Sequence, residues 1–222
     1  CDAVIAVGDG RYGEWFAYDS GPELPGTQTP AVDAFTMDED PAQGCAVHVV
    51  GGGYSTDADV GLGYAGVGVE FLEAADVRCA DGYDAIVYTG IGFVARGTGS
   101  LRILVETVDT TLEAGRPNGY ALEIPLGDDW APVEVEWSDL VLLAAQDGAP
   151  VAIDPGSIVT LRFEPVDPSS YDFWIDDLVF LVAPGSEGGE GGAAGVEGGA
   201  AGARAADGSP GASAQAGAAS GP

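Results

Sequence analysis

The sequence contains no lysine, one histidine, three cysteines and only seven arginines in 222 residues. Against 36 Asp and Glu residues, this leaves a formal net charge of −29 at pH 7. Proteins that bind nucleic acid or anionic membranes neutralise phosphates with a basic surface, which this composition excludes. No apolar run reaches the ~20 residues of a membrane-spanning helix, so no transmembrane segment is predicted. The scarcity of nucleophiles and general bases argues against catalysis.

Residues 184–222 differ in composition from the rest of the chain. They are almost all Gly, Ala, Ser, Glu and Pro, with no aromatic residue. Such a segment cannot offset a chain-ordering cost of about 1–2 kcal/mol per residue. We therefore predict one folded domain over residues 1–183, which holds most of the acidic charge, and a disordered Gly/Ala-rich tail over residues 184–222.

The acidity of this domain has three interpretations. The first is a solvated surface that keeps the protein soluble. The second is adaptation to high salt, in which case the free energy of unfolding rises with added salt. A Debye length of about 10 Å in 0.1 M salt already screens much of the repulsion. The third is a set of binding sites for divalent cations.

Apolar residues recur with a period of two in segment after segment. Strict alternation is typical of antiparallel strands with one buried face and one wet face. The alternating segments are residues 45–50, 101–105, 120–124, 133–137 and 159–163, followed by a last strand over residues 171–182. Clusters rich in Gly, Asp and Pro separate them as turns. The pattern predicts an all-β fold, an antiparallel β-sandwich (jelly roll).

Several positions carry further structural expectations. Trp137 is in register with the apolar residues of its strand and is assigned to the core. Trp174 has the opposite parity to its apolar neighbours, which places it on an outer face. The last strand is apolar on both faces over much of its length, so we expect it to be central. Residues 139–146 fit either a short helix or a strand.

Two further features could indicate chemistry but have simpler explanations. The glycine-rich stretches 51–53 and 61–68 are not followed by the Lys and Ser/Thr of a phosphate-binding loop. We interpret them as turns and tight strand packing. His48 lies mid-strand without a neighbouring Cys or His in sequence, so a zinc site is not indicated and a structural role is expected.

Three segments, in order along the chain, resemble a known family. Residues 171–180, Tyr-Asp-Phe-Trp-Ile-Asp-Asp-Leu-Val-Phe, resemble the closing strand of galactose-binding-like jelly-roll modules, which include many carbohydrate-binding modules. Residues 83–97 resemble a strand and turn in the middle of these modules. Residues 9–19 resemble the opening of secreted modules in myxobacterial-type surface proteins. The resemblance implies a non-catalytic jelly roll that binds glycan and often holds a structural calcium ion.

Carbohydrate recognition requires aromatic rings that stack on the apolar faces of sugars and polar groups that read the hydroxyls. Aromatic residues near predicted turns are the candidates, although packing in the core or at its rim is the simpler role for each. The candidate ligand-binding residues are Trp15, Tyr18, Tyr54, Tyr64, Tyr120 and Trp130.

Calcium requires several oxygen ligands, usually carboxylates and carbonyls. Asp176 and Asp177 lie within an apolar strand and need a cation or hydrogen bonds to satisfy them. Alternation places their side chains on opposite faces, so one ion should take one of the two. The family resemblance makes Asp9 and Glu14 the expected partners. Asp57 and Asp59, on a loop after a glycine run, form a weaker alternative.

Cys45 and Cys79 each lie in or beside a predicted strand, and Cys1 is the first residue. In an exported sandwich, a Cys45–Cys79 disulfide is expected, with two buried thiols as the alternative. Cys1 fits either a lipidated cysteine of a bacterial lipoprotein or a fragment boundary.

Three functions are compatible with these features. The first is a secreted or surface-anchored module of the bacterial envelope that binds polysaccharide or cell-surface glycan without cleaving it. The second is a structural or adhesive envelope protein that uses the sandwich for protein contacts. The third, an acid hydrolase with paired carboxylates, has no motif to support it.

Overall fold

The computed structural model describes residues 13–21, 23–24, 26–32, 34–57, 62–71, 82–111, 119–143 and 151–183. Strands dominate these residues, and the alternation in the sequence places most of them. The elements are β1 (Trp15–Asp19), β2 (Thr27–Thr29), β3 (Asp38–Asp40), β4 (Gly44–Gly52), β5 (Ala65–Glu70), β6 (Gly90–Gly97), β7 (Ser100–Thr107), α1 (Val108–Thr111), β8 (Tyr120–Pro125), β9 (Ala131–Glu136), β10 (Val141–Leu142), β11 (Ile158–Pro165) and β12 (Ser170–Leu181), with single 3-10 turns at Trp137–Asp139 and Pro155–Ser157. None of the described helices could span a membrane.

The strands form two sheets in which neighbouring strands are antiparallel. The first sheet has the order β1-β5-β11-β7-β8-β10. The second has the order β2-β4-β12-β6-β9, and β3 pairs with one end of β4. The predicted all-β sandwich is therefore confirmed. The predicted tail over residues 184–222 lies outside the described residues.

The core lies between the two sheets and is built from the inward face of each strand. Phe163 of β11 contacts Phe93 of β6 edge to face, with ring centres 5.2 Å apart, which joins the two sheets. Val67 of β5 and Ile103 of β7 flank Phe163 on its own sheet and are fully buried. Each such side chain contributes roughly 1.5–3 kcal/mol through removal of apolar surface from water.

Strand β12 lies between β4 and β6 in the second sheet, so the expected central position of the last strand is confirmed. Its register with β6 shifts between Asp176 and Val179, where Asp177 adopts a positive φ of 52°. This bulge interrupts the strict alternation that the sequence pattern assumed for Asp176 and Asp177. Asp176 Oδ1 accepts a hydrogen bond from the Asp177 backbone N–H at 2.8 Å.

Of residues 139–146, for which the sequence allowed a short helix or a strand, residues 141–142 are strand and residues 144–146 lie outside the described residues. Residues 137–139 form a 3-10 turn, and residues 141–142 form the short edge strand β10. Trp137 packs against the core as a partly buried residue, and its Nε1–H donates to the Tyr88 carbonyl at 2.9 Å. The turn thus holds the end of the sandwich near Tyr88.

Candidate functional site

The outer face of the first sheet carries a row of charged and aromatic side chains. The alternation that buries Leu161 and Phe163 in β11 directs Arg162 and Glu164 to this outer face. The neighbouring strands add further polar side chains in register. The other charged residues of the face are Glu14, Glu70, Arg102, Glu106 and Glu123. Five glutamates and two arginines therefore share this face.

Two aromatic rings lie across β5 because that strand has glycine at the positions beneath them. Phe16 and Tyr18 of β1 are directly opposite Gly68 and Gly66 of β5. An ideal Cβ atom at Gly68 would lie 2.5 Å from Phe16 Cζ, and one at Gly66 would lie 3.0 Å from the Tyr18 hydroxyl. Larger residues in β5 would displace both rings. The glycines thus let the Tyr18 side chain extend over β5 to the strand beyond it.

Tyr18 connects the aromatic part of the face to its charged part. Its hydroxyl donates to Glu164 Oε1 at 2.9 Å, and the guanidinium carbon of Arg162 lies 4.7 Å from its ring centre. The Tyr64 ring lies 6.4 Å from the Tyr18 ring and is 37% exposed. We define the aromatic cluster as Phe16, Tyr18 and Tyr64. Tyr64 is the member whose ring reaches solvent most clearly.

Each arginine of the face is held by glutamates. Arg162 Nη2 lies 3.0 Å from Glu106 Oε2. Arg102 donates from Nη2 and Nε to Glu123 Oε1 at 2.7 and 3.2 Å, and its Nη1 lies 3.8 Å from Glu164 Oε2. The result is a network of alternating charges that extends from Tyr18 across three strands.

Burial sets the electrostatics of this network. Glu106 and Glu164 are only 5% and 6% exposed. Burial raises the pKa of Glu106, and Arg162 offsets part of that rise. Burial also raises the pKa of Glu164, against the hydrogen bond from Tyr18 and the nearby arginines. Burial and the Glu164 carboxylate raise the pKa of Tyr18 well above its ordinary value.

One donor of the network is unsatisfied within the described part of the chain. Arg162 Nε is buried and makes no hydrogen bond to another described group. A buried donor without an acceptor costs roughly 1–3 kcal/mol, which offsets part of the stabilisation from the contacts of Arg162 with Glu106 and Tyr18.

The outer face of the second sheet carries a different arrangement, a stack of side chains across neighbouring strands. The His48 ring lies parallel to Trp174, with centres 3.8 Å apart. The Arg96 guanidinium lies 4.8 Å from Trp174 and 5.0 Å from Trp130. His48 and Arg96 come from the strands on either side of Trp174, so the two faces of its ring are taken up inside the stack. Trp174 lies on an outer face, as expected.

Carboxylates contact both His48 and Arg96 of this stack. His48 Nδ1 and Nε2 lie 2.9 and 3.1 Å from Asp38 and Asp172, which gives this histidine a structural role. Arg96 Nη2 lies 2.8 Å from Asp40 Oδ2. Although burial opposes ionisation of Asp40, the backbone N–H groups of residues 42 and 43, with Arg96, hold its pKa below the usual value. Trp130 Nε1–H forms no well-aligned hydrogen bond with another described group, and its position near the Asp40 carboxylate adds to this lowering of the pKa.

The structure brings together only part of the predicted aromatic set. Tyr18 and Tyr64 meet on the first sheet's outer face, whereas Trp130 lies in the stack on the second sheet. Trp15 is 7% exposed and stacks on Phe35 and Phe163 in the core.

Tyr54 and Tyr120 are also buried, and their hydroxyls donate to Asp19 and to the Ala152 carbonyl. The expectation that Trp15, Tyr54 and Tyr120 present ligand-binding rings is therefore corrected, because these rings face the interior. Sequence position near a turn did not distinguish an inward ring from an outward one.

The predicted calcium ligands are not brought together either. Glu14 lies on the first sheet's outer face, beside Glu70, whereas Asp176 and Asp177 belong to the second sheet. Glu14 and Asp176 therefore cannot share one ion. Asp9 and Asp59 lie outside the described residues, and Asp57 lies on an exposed loop. Within the described ranges, no group of three or more His, Cys, Asp or Glu side chains could hold a metal ion.

Burial raises the pKa of Asp176 to about 6, and the nearby Asp177 and Asp40 carboxylates add to the rise. Cys45 lies half-buried in β4, while Cys1 and Cys79 lie outside the described residues. The calcium ion and the Cys45–Cys79 disulfide stay predictions.

The charged residues of the site were missed by sequence reasoning. In the sequence, Arg162 is a polar residue between the apolar Leu161 and Phe163. No motif distinguishes Glu106, Glu164 or Arg102 from other polar residues of a strand. Polar residues on the wet face of a strand usually indicate only solvent. A usable signal was the presence of arginine in mid-strand in a chain that has only seven cationic side chains.

Comparison with known proteins identifies the fold. No family model and no curated protein sequence matches the chain. A family 11 carbohydrate-binding module from Clostridium thermocellum, in complex with a beta-1,3-1,4-mixed-linked tetrasaccharide, is similar over 76% of this chain and 89% of that one, with 16% identity and a TM-score of 0.53. The family 11 module of the cellulosomal cellulase Lic26A-Cel5E of the same organism covers 82% and 96%, with 15% identity and a TM-score of 0.54. The chain therefore has the β-sandwich fold of these modules.

Proposed function

We propose that this protein is a non-catalytic module that binds polysaccharide on the outer face of the first sheet. The observation that carries the proposal is the junction at Tyr18, where the aromatic cluster meets buried Glu164 and the guanidinium of Arg162. Aromatic rings beside fixed polar groups are the components that sugar recognition requires.

Each component has a definite task in this proposal. Tyr64, with Tyr18 beside it, offers ring surface for the C–H face of a sugar. The partly exposed guanidinium of Arg162 offers N–H donors to a hydroxyl or ring oxygen. The exposed Glu123 carboxylate offers an acceptor to a sugar hydroxyl. The sheet supplies these groups from strands rather than loops, so their positions are fixed before the ligand arrives.

The fold supports this proposal without establishing it. The two solved structures compared above are named as carbohydrate-binding modules, and one is in complex with a tetrasaccharide. At 15–16% identity the likeness concerns the backbone, so the choice of ligand depends on the side chains described above.

A binding role fits this face better than hydrolysis. A glycosidase needs one carboxyl group as acid and another carboxylate as nucleophile or base, both directed at the sugar. Here Glu106 is held by Arg162, and Glu164 is held by Tyr18 and Arg102. These glutamates build the site and position its arginines.

We further propose that the module works outside the cell, in secreted form or on a bacterial surface. The predicted Cys45–Cys79 disulfide would suit an oxidising compartment. A structural calcium ion belongs to the same proposal, and it is not required for the sugar site.

The proposal is tested by a glycan array that includes plant, bacterial and algal polysaccharides, run with calcium and again with chelator. We expect binding to a defined set of glycans, weakened by Tyr64→Ala. Loss of binding with chelator would assign calcium a part in the site. Silence across the array would contradict the proposal and favour the structural or adhesive role.

A further inference from the structure

The proposed binding face carries an excess of negative charge, although it contains two arginines. Arg102 and Arg162 both lie there, and free guanidinium groups would attract anionic sugars such as uronates. In this structure, however, Arg162 is paired with Glu106, and Arg102 is paired with Glu123 and Glu164. The five glutamates of the face leave it with an excess of negative charge.

Two of these glutamates are held in an unusual position. Glu106 and Glu164 are almost completely buried on an outer sheet face, where a charged side chain would normally extend into water. Their ion pairs keep the arginines close to the sheet and occupy the donors that would otherwise point outward. Arg162 Nε is also buried, so the side-on pair of donors, Nε and Nη2, is not open to a ligand carboxylate.

We propose that Glu106 and Glu164 determine specificity at this face by occupying its arginines, so that the site selects uncharged glycans and rejects anionic ones. This inference depends on the proposed function. A ligand carboxylate would have to displace Glu106 or Glu164 from an arginine, or lie against the remaining glutamates without a partner. Either outcome weakens binding, since like charges placed together at an interface are strongly unfavourable.

The groups that face the two glutamates come from every neighbouring strand. They are Tyr18 from β1, Glu70 from β5, Thr160 and Arg162 from β11, Arg102 from β7 and Glu123 from β8. Burial raises the pKa values of Glu106 and Glu164, so these carboxylates take up protons at a higher pH than an ordinary glutamate does. Acidification should therefore weaken the ion pairs of Arg102 and Arg162 and reduce the preference for uncharged glycans.

The test uses matched pairs of oligosaccharides that differ only at C6. Cellotetraose is compared with the β-1,4-linked tetramer of glucuronic acid, and β-1,4-mannotetraose with the corresponding mannuronate tetramer. Binding of each is measured by calorimetry to the wild-type chain and to the Glu106→Gln/Glu164→Gln double variant. A control double variant, Glu39→Gln/Glu134→Gln, removes the same charge from exposed positions of the second sheet.

At pH 7.5 we expect the wild type to prefer the neutral member of a pair by about tenfold or more, since a like-charge contact opposes the uronate. In the Glu106→Gln/Glu164→Gln variant, the dissociation constants for the two members of a pair should differ by about threefold or less, because the variant binds the uronate more tightly. The control variant should keep the wild-type preference, because its change in net charge lies on the other sheet. A control variant that reduces the preference for the neutral oligosaccharide as much as the Glu106→Gln/Glu164→Gln variant does would contradict this. That result would mean that the overall charge of the protein, and not these two glutamates, determines the preference.

A second measurement does not depend on the variants folding. For the wild type, the ratio of the dissociation constants for the uronate and the neutral oligosaccharide should become smaller as the pH falls from 7.5 to 5. The sugar carboxylate stays ionised over this range because unburied carboxyl groups titrate near pH 4. A preference that stays constant with pH and in the double variant would overturn this inference while leaving the proposed function intact. Binding of neither member of either pair, with a silent glycan array, would instead remove the proposed function, and the inference with it.

Discussion

Arg162 lies with its guanidinium carbon 4.7 Å from the centre of the Tyr18 ring, while its Nη2 is 3.0 Å from Glu106 Oε2. These two contacts fix one cation between an aromatic ring from the edge strand β1 and a carboxylate from β7. Because the three side chains belong to strands that are far apart in sequence, the site exists only in the assembled sheet. Its binding properties should therefore be sensitive to single substitutions that leave the fold intact.

The first prediction concerns the exposed ring of the aromatic cluster. Tyr64→Ala should weaken glycan binding by about three- to tenfold, because one stacked ring contributes roughly 0.5–1.5 kcal/mol beyond its buried area. Trp130→Phe is the matched control, since Trp130 lies on the second sheet and should not affect affinity. Calorimetry with the selected oligosaccharide, together with thermal unfolding of each variant, checks this. Equal losses of affinity in the two variants would indicate that the sugar does not bind at the aromatic cluster.

The second prediction concerns the stack on the second sheet. Asp40→Ala should destabilise the fold by about 2–4 kcal/mol, because it leaves Arg96 without the carboxylate that holds it between two indoles. Asp38→Asn, at a half-exposed position beside His48, should cost less than about 1 kcal/mol. Denaturant unfolding at pH 7 measures both values.

The pH dependence of this contact follows from the lowered pKa of Asp40. A carboxylate with a depressed pKa stabilises the fold above its unfolded value of about 4, and this contribution is lost as the pH falls through the folded value. The wild type should therefore lose stability faster than Asp40→Ala below about pH 4. If the free energy of unfolding falls equally with pH in the wild type and in Asp40→Ala, Asp40 is not ion-paired.

The third prediction concerns Asp176, whose pKa rises to about 6. Because its ionised form is disfavoured in the folded state, the free energy of unfolding should increase as the pH falls from about 6 to about 4. Asp176→Asn should therefore stabilise the protein at pH 7.5 by about 1 kcal/mol after allowance for solvent screening. The gain should vanish near pH 4. The exposed Glu134→Gln serves as control, and a gain independent of pH in Asp176→Asn would contradict this account.

The fourth prediction concerns the cysteines. A Cys45–Cys79 disulfide would close a loop of about 35 residues and contribute roughly 3–4 kcal/mol in the chain-entropy model. Reducing agent should then lower the melting temperature of the wild type and leave Cys45→Ser and Cys79→Ser unchanged. Mass spectrometry of the alkylated protein identifies the bridge directly. A wild-type protein with three reactive thiols would refute it.

The regular strands were predictable because their side chains alternate. Strands β7, β8 and β11 each carry a clear apolar series, and the apolar character of β12 correctly indicated a central position. Strand β5 was not recognised, since glycines 66 and 68 remove the side chains that would mark its outer face. The bulge at Asp177 was also missed, because a positive φ leaves no sign in a period-two pattern.

The site was predictable only in part. Tyr18 and Tyr64 were singled out for their chemistry, but Trp15 is buried although it stands three residues before Tyr18. Whether a ring faces inward depends on its parity relative to the core, and the short strand β1 offers few apolar residues to set that parity. The pairing of Arg162 with Glu106 depends on β11 lying beside β7, a contact between residues far apart in sequence.

The measurement that tests the account most directly is an amide NMR titration of the intact chain with a neutral oligosaccharide selected on the array. We predict saturable shifts confined to Tyr64 and the outer residues of β1, β5, β7, β8 and β11, with the oligosaccharide unchanged after prolonged incubation. Shifts centred on the stack of His48, Trp174 and Arg96, or the appearance of shorter sugars, would contradict it.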